Sequence, residues 1–165
     1  MMNSEVGALA ARLKKEATQH KRNGDWGSAL SCMKKVHEMW MADGAADVAP
    51  ESWAKYPLYL QQAGRYDEAM QVFRDVLARA DELATRSLID PLPFLRKGYA
   101  KHFEHVIYDK MRVAARREKR PDDAARFQAL ADEAEDAFEA FKRVRDLHNE
   151  RRAKKLEGGR RGPEA

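Results

Sequence analysis

His102-Phe103-Glu104-His105 places two imidazoles three residues apart, with Asp109 four residues further on, so that a helix would carry all three on one face. That spacing can ligate a metal. No HExxH or CxxC spacing accompanies it, and His20, His37 and His148 stand apart in the chain, so the histidines are read as surface or packing residues. Asp122 with Asp123, and Glu133 and Glu135 with Asp136, could in principle do acid and base work. They fall at a helix start and on a helix face, where carboxylates are ordinary. Cys32 is the lone cysteine and has neither a partner thiol nor a neighbouring base and orienter, so it is read as core or groove wall. There is no phosphate-binding glycine loop, no GxSxG and no GxGxxG. The expectation is a protein that is not an enzyme and carries no metal and no cofactor.

The other chemistry in the chain is electrostatic. Lys110, Arg112, Arg116, Arg117, Lys119 and Arg120 form one basic run, and Arg143, Arg145, Arg151, Arg152, Lys154, Lys155, Arg160 and Arg161 form a second. An antiparallel arrangement of the last two helices is expected to bring the runs near each other, where they could track a phosphate backbone. Glu118, Asp146, Glu150 and Glu157 interrupt them, and no recognised nucleic-acid motif is present. The net charge is +4, and residues 142–165 hold nine Lys/Arg against four Asp/Glu, leaving 22 against 23 in the preceding 141. The basic character belongs to the C-terminal end.

These side chains must be positioned by helices. At 165 residues, 44% apolar and 35% charged, with nine Gly and six Pro, the composition suits a helical domain or short repeat array with solvated outer faces. No apolar run of signal-peptide length precedes Arg12 and nowhere do 18 residues run apolar, so a cytoplasmic protein with no membrane partner is expected.

Val6, Leu9, Ala10, Leu13 and Ala17 recur at intervals of three and four and predict a helix from Ser4 to Arg22. Asn23-Gly24 stops it, and Asp25 can cap a second helix from about Trp26 to Met41. Residues 42–51, broken by Gly44 and Pro50, read as a loop. A third helix is expected over about 52–63, ended by Gly64, and a fourth over about 66–85 with Ala69, Met70, Phe73, Val76, Leu77 and Ala80 in its stripe. Pro91 and Pro93 make a turn. A fifth helix follows from about Pro93 to Arg117. Pro121 opens a long sixth, with Phe127, Leu130, Ala134, Ala137, Phe141, Val144 and Leu147 repeating toward a core. The domain is thus expected to span 1–148. Residues 149–165 have little to bury and are expected to be a flexible basic tail.

Gly24-Asp25-Trp26-x-x-Ala29-Leu30-x-x-Met33-x-x-Val36 recurs 40 residues later as Gly64-Arg65-Tyr66-x-x-Ala69-Met70-x-x-Phe73-x-x-Val76. A small residue ending one helix, an aromatic opening the next and an alanine inside it are what closely packed helical hairpins need. With Trp53-x-x-Tyr56-Pro57-x-x-Leu60 ahead of the second copy, and Leu13, Ala17 and His20 ahead of the first, the pattern resembles the tetratricopeptide repeat (TPR) family over about residues 10–80. The third pair departs from it: aligning Ala124 with Ala29 and Ala69 puts Lys119 and Pro121 where the glycine and aromatic stand.

The resemblance implies an all-α fold of six helices in three antiparallel hairpins, wound as a TPR-like short superhelix with a long C-terminal capping helix. It also implies a groove that holds a protein partner as a peptide or helix. The groove positions would be Lys14, Thr18, Lys21 and Arg22 from the first repeat and Ala54, Lys55, Leu58, Gln61 and Gln62 from the second. This basic, polar surface would favour an acidic segment or a C-terminal carboxylate. Of the aromatic residues, Trp26, Trp53, Tyr56 and Tyr66 are assigned to interhelical packing, leaving Trp40 and Tyr59 as candidate partner anchors. The function expected is that of a non-enzymatic adaptor or regulator. The alternative is a small regulator that binds nucleic acid, or a nucleic-acid enzyme, through residues 110–161, with Arg112, Arg116, Arg117, Lys119, Arg120, Arg151, Arg152, Lys154 and Lys155 in contact.

Overall fold

The computed structural model describes residues 4–42, 48–88 and 91–159, and every regular element among them is helical. In chain order these are α1 (Ser4–Arg22), α2 (Trp26–Ala42), α3 (Pro50–Trp53), α4 (Lys55–Gln62), α5 (Tyr66–Leu77), α6 (Ala80–Leu83), α7 (Pro93–Arg117) and α8 (Pro121–Gly159). Residues 43–47 of the expected loop, Ile89 and Asp90 of the expected turn, and 160–165 with Arg160 and Arg161 lie outside the described residues.

The fold is all-α, with eight helical segments among the described residues where six helices were expected. The expected third helix begins two residues early, at Pro50, and is divided at Ala54 into α3 and α4. Pro57 is the cause: it has no N–H to give the Trp53 carbonyl four residues back, and its ring crowds that carbonyl. The expected fourth helix is interrupted at Ala78–Arg79 and its last piece, α6, ends at Leu83. The sixth runs unbroken across the expected boundary at 148 and continues to Gly159.

α1 packs on α2, α2 on α4, α4 on α5, and α7 on α8, while α3 to α6 all touch α7. Three reversals share one geometry. In each, the chain leaves a helix through a residue with positive φ, namely Gly24 at 76°, Gly64 at 81° and Lys119 at 55°. The hydrogen bonds repeat as well: Gly24 N to Lys21 O and Asp25 N to His20 O, Gly64 N to Gln61 O and Arg65 N to Leu60 O, Lys119 N to Arg116 O and Arg120 N to Ala115 O. This is the Schellman arrangement, which satisfies carbonyls left over at a helix end. Ala29, Ala69 and Ala124 then follow at the same step, each buried and each donating its N–H to the residue after the positive-φ position. Asp25 caps α2 as its sequence position suggests, with Oδ1 accepting from Ser28 N at 3.1 Å.

The main core runs through all of these elements and is built on Trp53, Phe73, Phe103, Ile107 and Met111, with Val36, Trp40 and Phe127. At the far end of α7, Gly98 seats the Phe141 ring, and a Cβ there would fall 2.2 Å from Phe141 Cδ2. Phe94, Tyr99 and Phe138 surround the same ring. Val144 and Leu147, expected to continue the buried stripe of α8, are instead 53% and 54% exposed, because α7 begins at Pro93 and past Phe141 only Arg145 reaches it, at Tyr99.

Candidate functional site

Two positions seven residues apart on a helix share a face, and α1 uses that spacing to hold Lys14 and Lys21 over an aromatic shelf. The Lys14 ammonium lies 5.5 Å from the centre of the Trp40 ring. Lys21 lies 5.0 Å from Tyr59 and 5.8 Å from Trp26, and these two rings meet edge to face at 6.2 Å. Trp40 contacts Trp53, Trp53 contacts His37 and His37 contacts Tyr56, so one connected row of rings from α2, α3 and α4 runs from beneath Lys14, beside the separate Trp26–Tyr59 pair beneath Lys21. Ammonium over a ring face is attracted by the ring quadrupole.

Lys55 enters from α4. Burial, and then the positive charge of Lys55, push the Lys14 ammonium below its ordinary pKa. None of Lys14, Lys21 and Lys55 has a carboxylate within ion-pair distance among the described residues. Burial likewise lowers the pKa of His37, so the imidazole in the row is held toward its neutral form.

The residues expected at the groove therefore separate, and Ala54 is wholly buried in the core instead of lining it. Lys14, Lys21, Lys55 and Tyr59 come together, and Gln62 is half-buried on α4. Thr18 and Arg22 turn to the outer side of α1, where they line an open hollow with Arg12, Lys15, Glu16 and Gln19, and Thr18 Oγ1 donates to Lys14 O. Gln61 is not a groove residue: it is 5% exposed and donates from Nε2 to Glu118 Oε1 at 2.9 Å, joining α4 to the α7–α8 turn. Trp40, expected to be free for a partner, is 4% exposed and is the shelf under Lys14. Its position follows from the buried row Met33, Val36 and Trp40 on one face of α2.

The two basic runs are not brought together. Arg112, Arg116, Arg117, Lys119 and Arg120 sit at the turn between α7 and α8, whereas Arg151, Arg152, Lys154 and Lys155 sit at the other end of α8, about 46 Å away along its axis at 1.5 Å per residue. An antiparallel pair places the end of one helix beside the start of the next, so the expectation was geometrically inverted. Several of the first run are also committed. Arg112 pairs with Asp109, and Arg120 stacks on the Tyr66 ring at 4.4 Å. Tyr66 OH donates to Asp123 Oδ2, and burial first, then the Asp123 charge, raise its pKa to about 12.

The face containing His102, His105 and Asp109 is occupied by packing. His102 lies against Phe138, His105 Nδ1 is 2.9 Å from Ala131 O, and Asp109 holds Arg112. Among the described residues no three His, Cys, Asp or Glu side chains gather as a metal site. No described helix is long and apolar enough to cross a membrane.

One group went unnoticed in the sequence. Arg79 and Arg86 flank Glu82 at the i, i+3, i+7 spacing of a single helical face, and both reach the end of α2, Arg79 donating to Met41 O and Arg86 to Trp40 O and Met41 O. Hydrogen bonds from Arg79 and Arg86 hold Glu82 down to about pKa 2. The clamp satisfies carbonyls at a helix end and sets positive charge against the negative end of its dipole. Compared with protein-family models, curated proteins and solved structures, the chain matches none.

Proposed function

We propose that this chain is a non-enzymatic adaptor or regulator, built as a TPR-like short superhelix of three helix pairs, that binds an acidic peptide or helix of a partner protein across α1 and α4. The observation that carries the reading is the Lys14, Lys21 and Lys55 group: Lys14 and Lys21 lie over aromatic rings, the charge of Lys55 acts on Lys14, and none of the three has a carboxylate partner among the described residues. Such partnerless cations, Lys14 among them partly buried, gain charge-assisted hydrogen bonds when a carboxylate arrives, while the half-buried rings of Trp26, Tyr56 and Tyr59 supply apolar contact for the ligand's backbone and side chains. The shared geometry of the three turns supports the repeat architecture, because it extends the pattern read at Gly24 and Gly64 to Lys119.

The test is a nuclear magnetic resonance titration with hexaglutamate bearing a free C-terminal carboxylate. Shifts are expected at Lys14, Lys21, Lys55 and the Trp26 indole. Lys14→Glu with Lys55→Glu should remove them while leaving the helical circular dichroism spectrum unchanged. Shifts that persist in the double variant would end the groove assignment.

A further inference from the structure

Phe141 is the last buried residue of α8, Arg145 still reaches Tyr99 of α7, and the 18 residues from 142 to 159 carry the helix about 27 Å onward. Every side chain from Asp146 to Glu157 is exposed. Residues 142–159 contain seven Lys/Arg against three Asp/Glu, so this segment accounts for all of the chain's net charge of +4, and the remainder balances at 24 against 24.

The charges are sorted around the helix. At 3.6 residues per turn Asp146, Glu150 and Glu157 fall in one strip about 40° wide, while Arg143, Arg151, Arg152, Lys154 and Lys155 spread over a separate half of the circumference. The sorting extends to pairing. Lys142 is held by Glu139 and Arg145 by Asp146, but none of the five cations on the basic half has an acid within ion-pair distance among the described residues. His148, Arg151, Arg152, Lys154 and Lys155 line a single hollow open to solvent.

A solvated helix with mixed charges is usually laced with i, i+4 pairs of opposite sign; Glu139 and Arg143, and Glu150 and Lys154, have that spacing here, yet neither pair closes to ion-pair distance among the described residues. Its apolar residues Val144, Leu147, Ala153 and Leu156 do not share one face, so it has no side to sink into lipid. A bare helix about 10–12 Å across with one cationic half instead suits the groove of a nucleic-acid duplex, about 12 Å wide in B-DNA and walled by phosphates. We propose that the free half of α8 is a nucleic-acid-binding arm that contacts the phosphate backbone of a DNA duplex through Arg143, Arg151, Arg152, Lys154 and Lys155, without reading sequence. This surface is separate from the α1–α4 face.

The experiment is fluorescence anisotropy of the full chain with a labelled 20-base-pair DNA duplex between 50 and 200 mM salt. If all five cations contact phosphate, log K falls against log salt with a slope of about −4.5, a loss of about 500-fold across that range. Replacing Arg151, Arg152, Lys154 and Lys155 together by Gln should flatten the slope by about 3.6 and remove most binding at 50 mM, with unchanged thermal unfolding because the four side chains touch no core. Lys14→Glu with Lys55→Glu should leave duplex binding intact, which separates the arm from the groove. The proposal is overturned by absence of binding at 50 mM salt or by duplex binding that survives the fourfold change. It is equally overturned if the four residues retain phosphatidylserine vesicles or hexaglutamate but no duplex.

Discussion

The α1–α2 and α4–α5 reversals pass through glycine, whereas the α7–α8 reversal makes the same hydrogen bonds through Lys119. Positive φ suits glycine because it has no Cβ, and in a lysine it costs about 1–2 kcal/mol. That cost is tolerated where α7 and α8 pack along a long seam, from Met111, Ala114 and Ala115 against Ala124 and Phe127 to Gly98 against Phe141. The α4–α5 pair is shorter, with helices of 8 and 12 residues, and has less packing to impose its turn. A glycine thus specifies a reversal locally, and a long interface can impose the same reversal on a residue that disfavours it.

The largest expected effect attacks the long seam. Gly98→Ala improves helix propensity by about 1 kcal/mol but drives a methyl into the Phe141 ring, and the net expectation is a loss of about 1–3 kcal/mol in chemical denaturation. Combining it with Phe141→Ala should relieve the clash, so the double variant is more stable than the sum of the single changes predicts. Additive losses would show that Gly98 is not the seat of that ring.

The turns themselves come next. Gly64→Ala has open space for its methyl, so its cost should be the backbone conformation alone, about 1 kcal/mol. Lys119→Gly should move the other way and stabilise by about 0.5–1 kcal/mol, less than the full relief because glycine loses more entropy on folding. A Lys119→Gly protein that melts lower than the parent would contradict the account of that turn.

The smallest effect concerns the clamp on α2, an anchor made by polar contacts instead of a long apolar seam. Glu82 is held from its ordinary 4.5 down to about 2, so its contribution is present above pH 4.5 and is lost as the pH falls from there toward 2. The carboxylate is half exposed, and solvent screening limits this to a few tenths of a kcal/mol. Comparing the parent with Glu82→Gln in melts at pH 7 and pH 2.5 isolates it: the difference between the two proteins should shrink at the lower pH. A constant difference would mean that the carboxylate charge plays no part.

Much of this molecule is legible in the chain. The periodic apolar residues, Gly24, Gly64, the Asp25 cap and the two prolines at 93 and 121 are short-range signals, each acting within a turn or two of itself, and they placed most helix starts and stops within a few residues. The Lys14 and Lys21 spacing likewise put both on one face of α1. What the chain could not disclose depends on which helix lies where. Trp40 and Gln61 were read as surface residues, and a second helix covers each. The two basic runs stand at opposite ends of α8, a separation set by the direction and length of that helix. Val144 and Leu147 keep the apolar period of α8 but are exposed, because burial requires a neighbour and α7 does not begin until Pro93. Local chemistry determined most of the helices and the reversals at Gly24 and Gly64. Only the packing of distant segments decided which side chains face solvent, which charges are left without partners, and where a ligand could reach them.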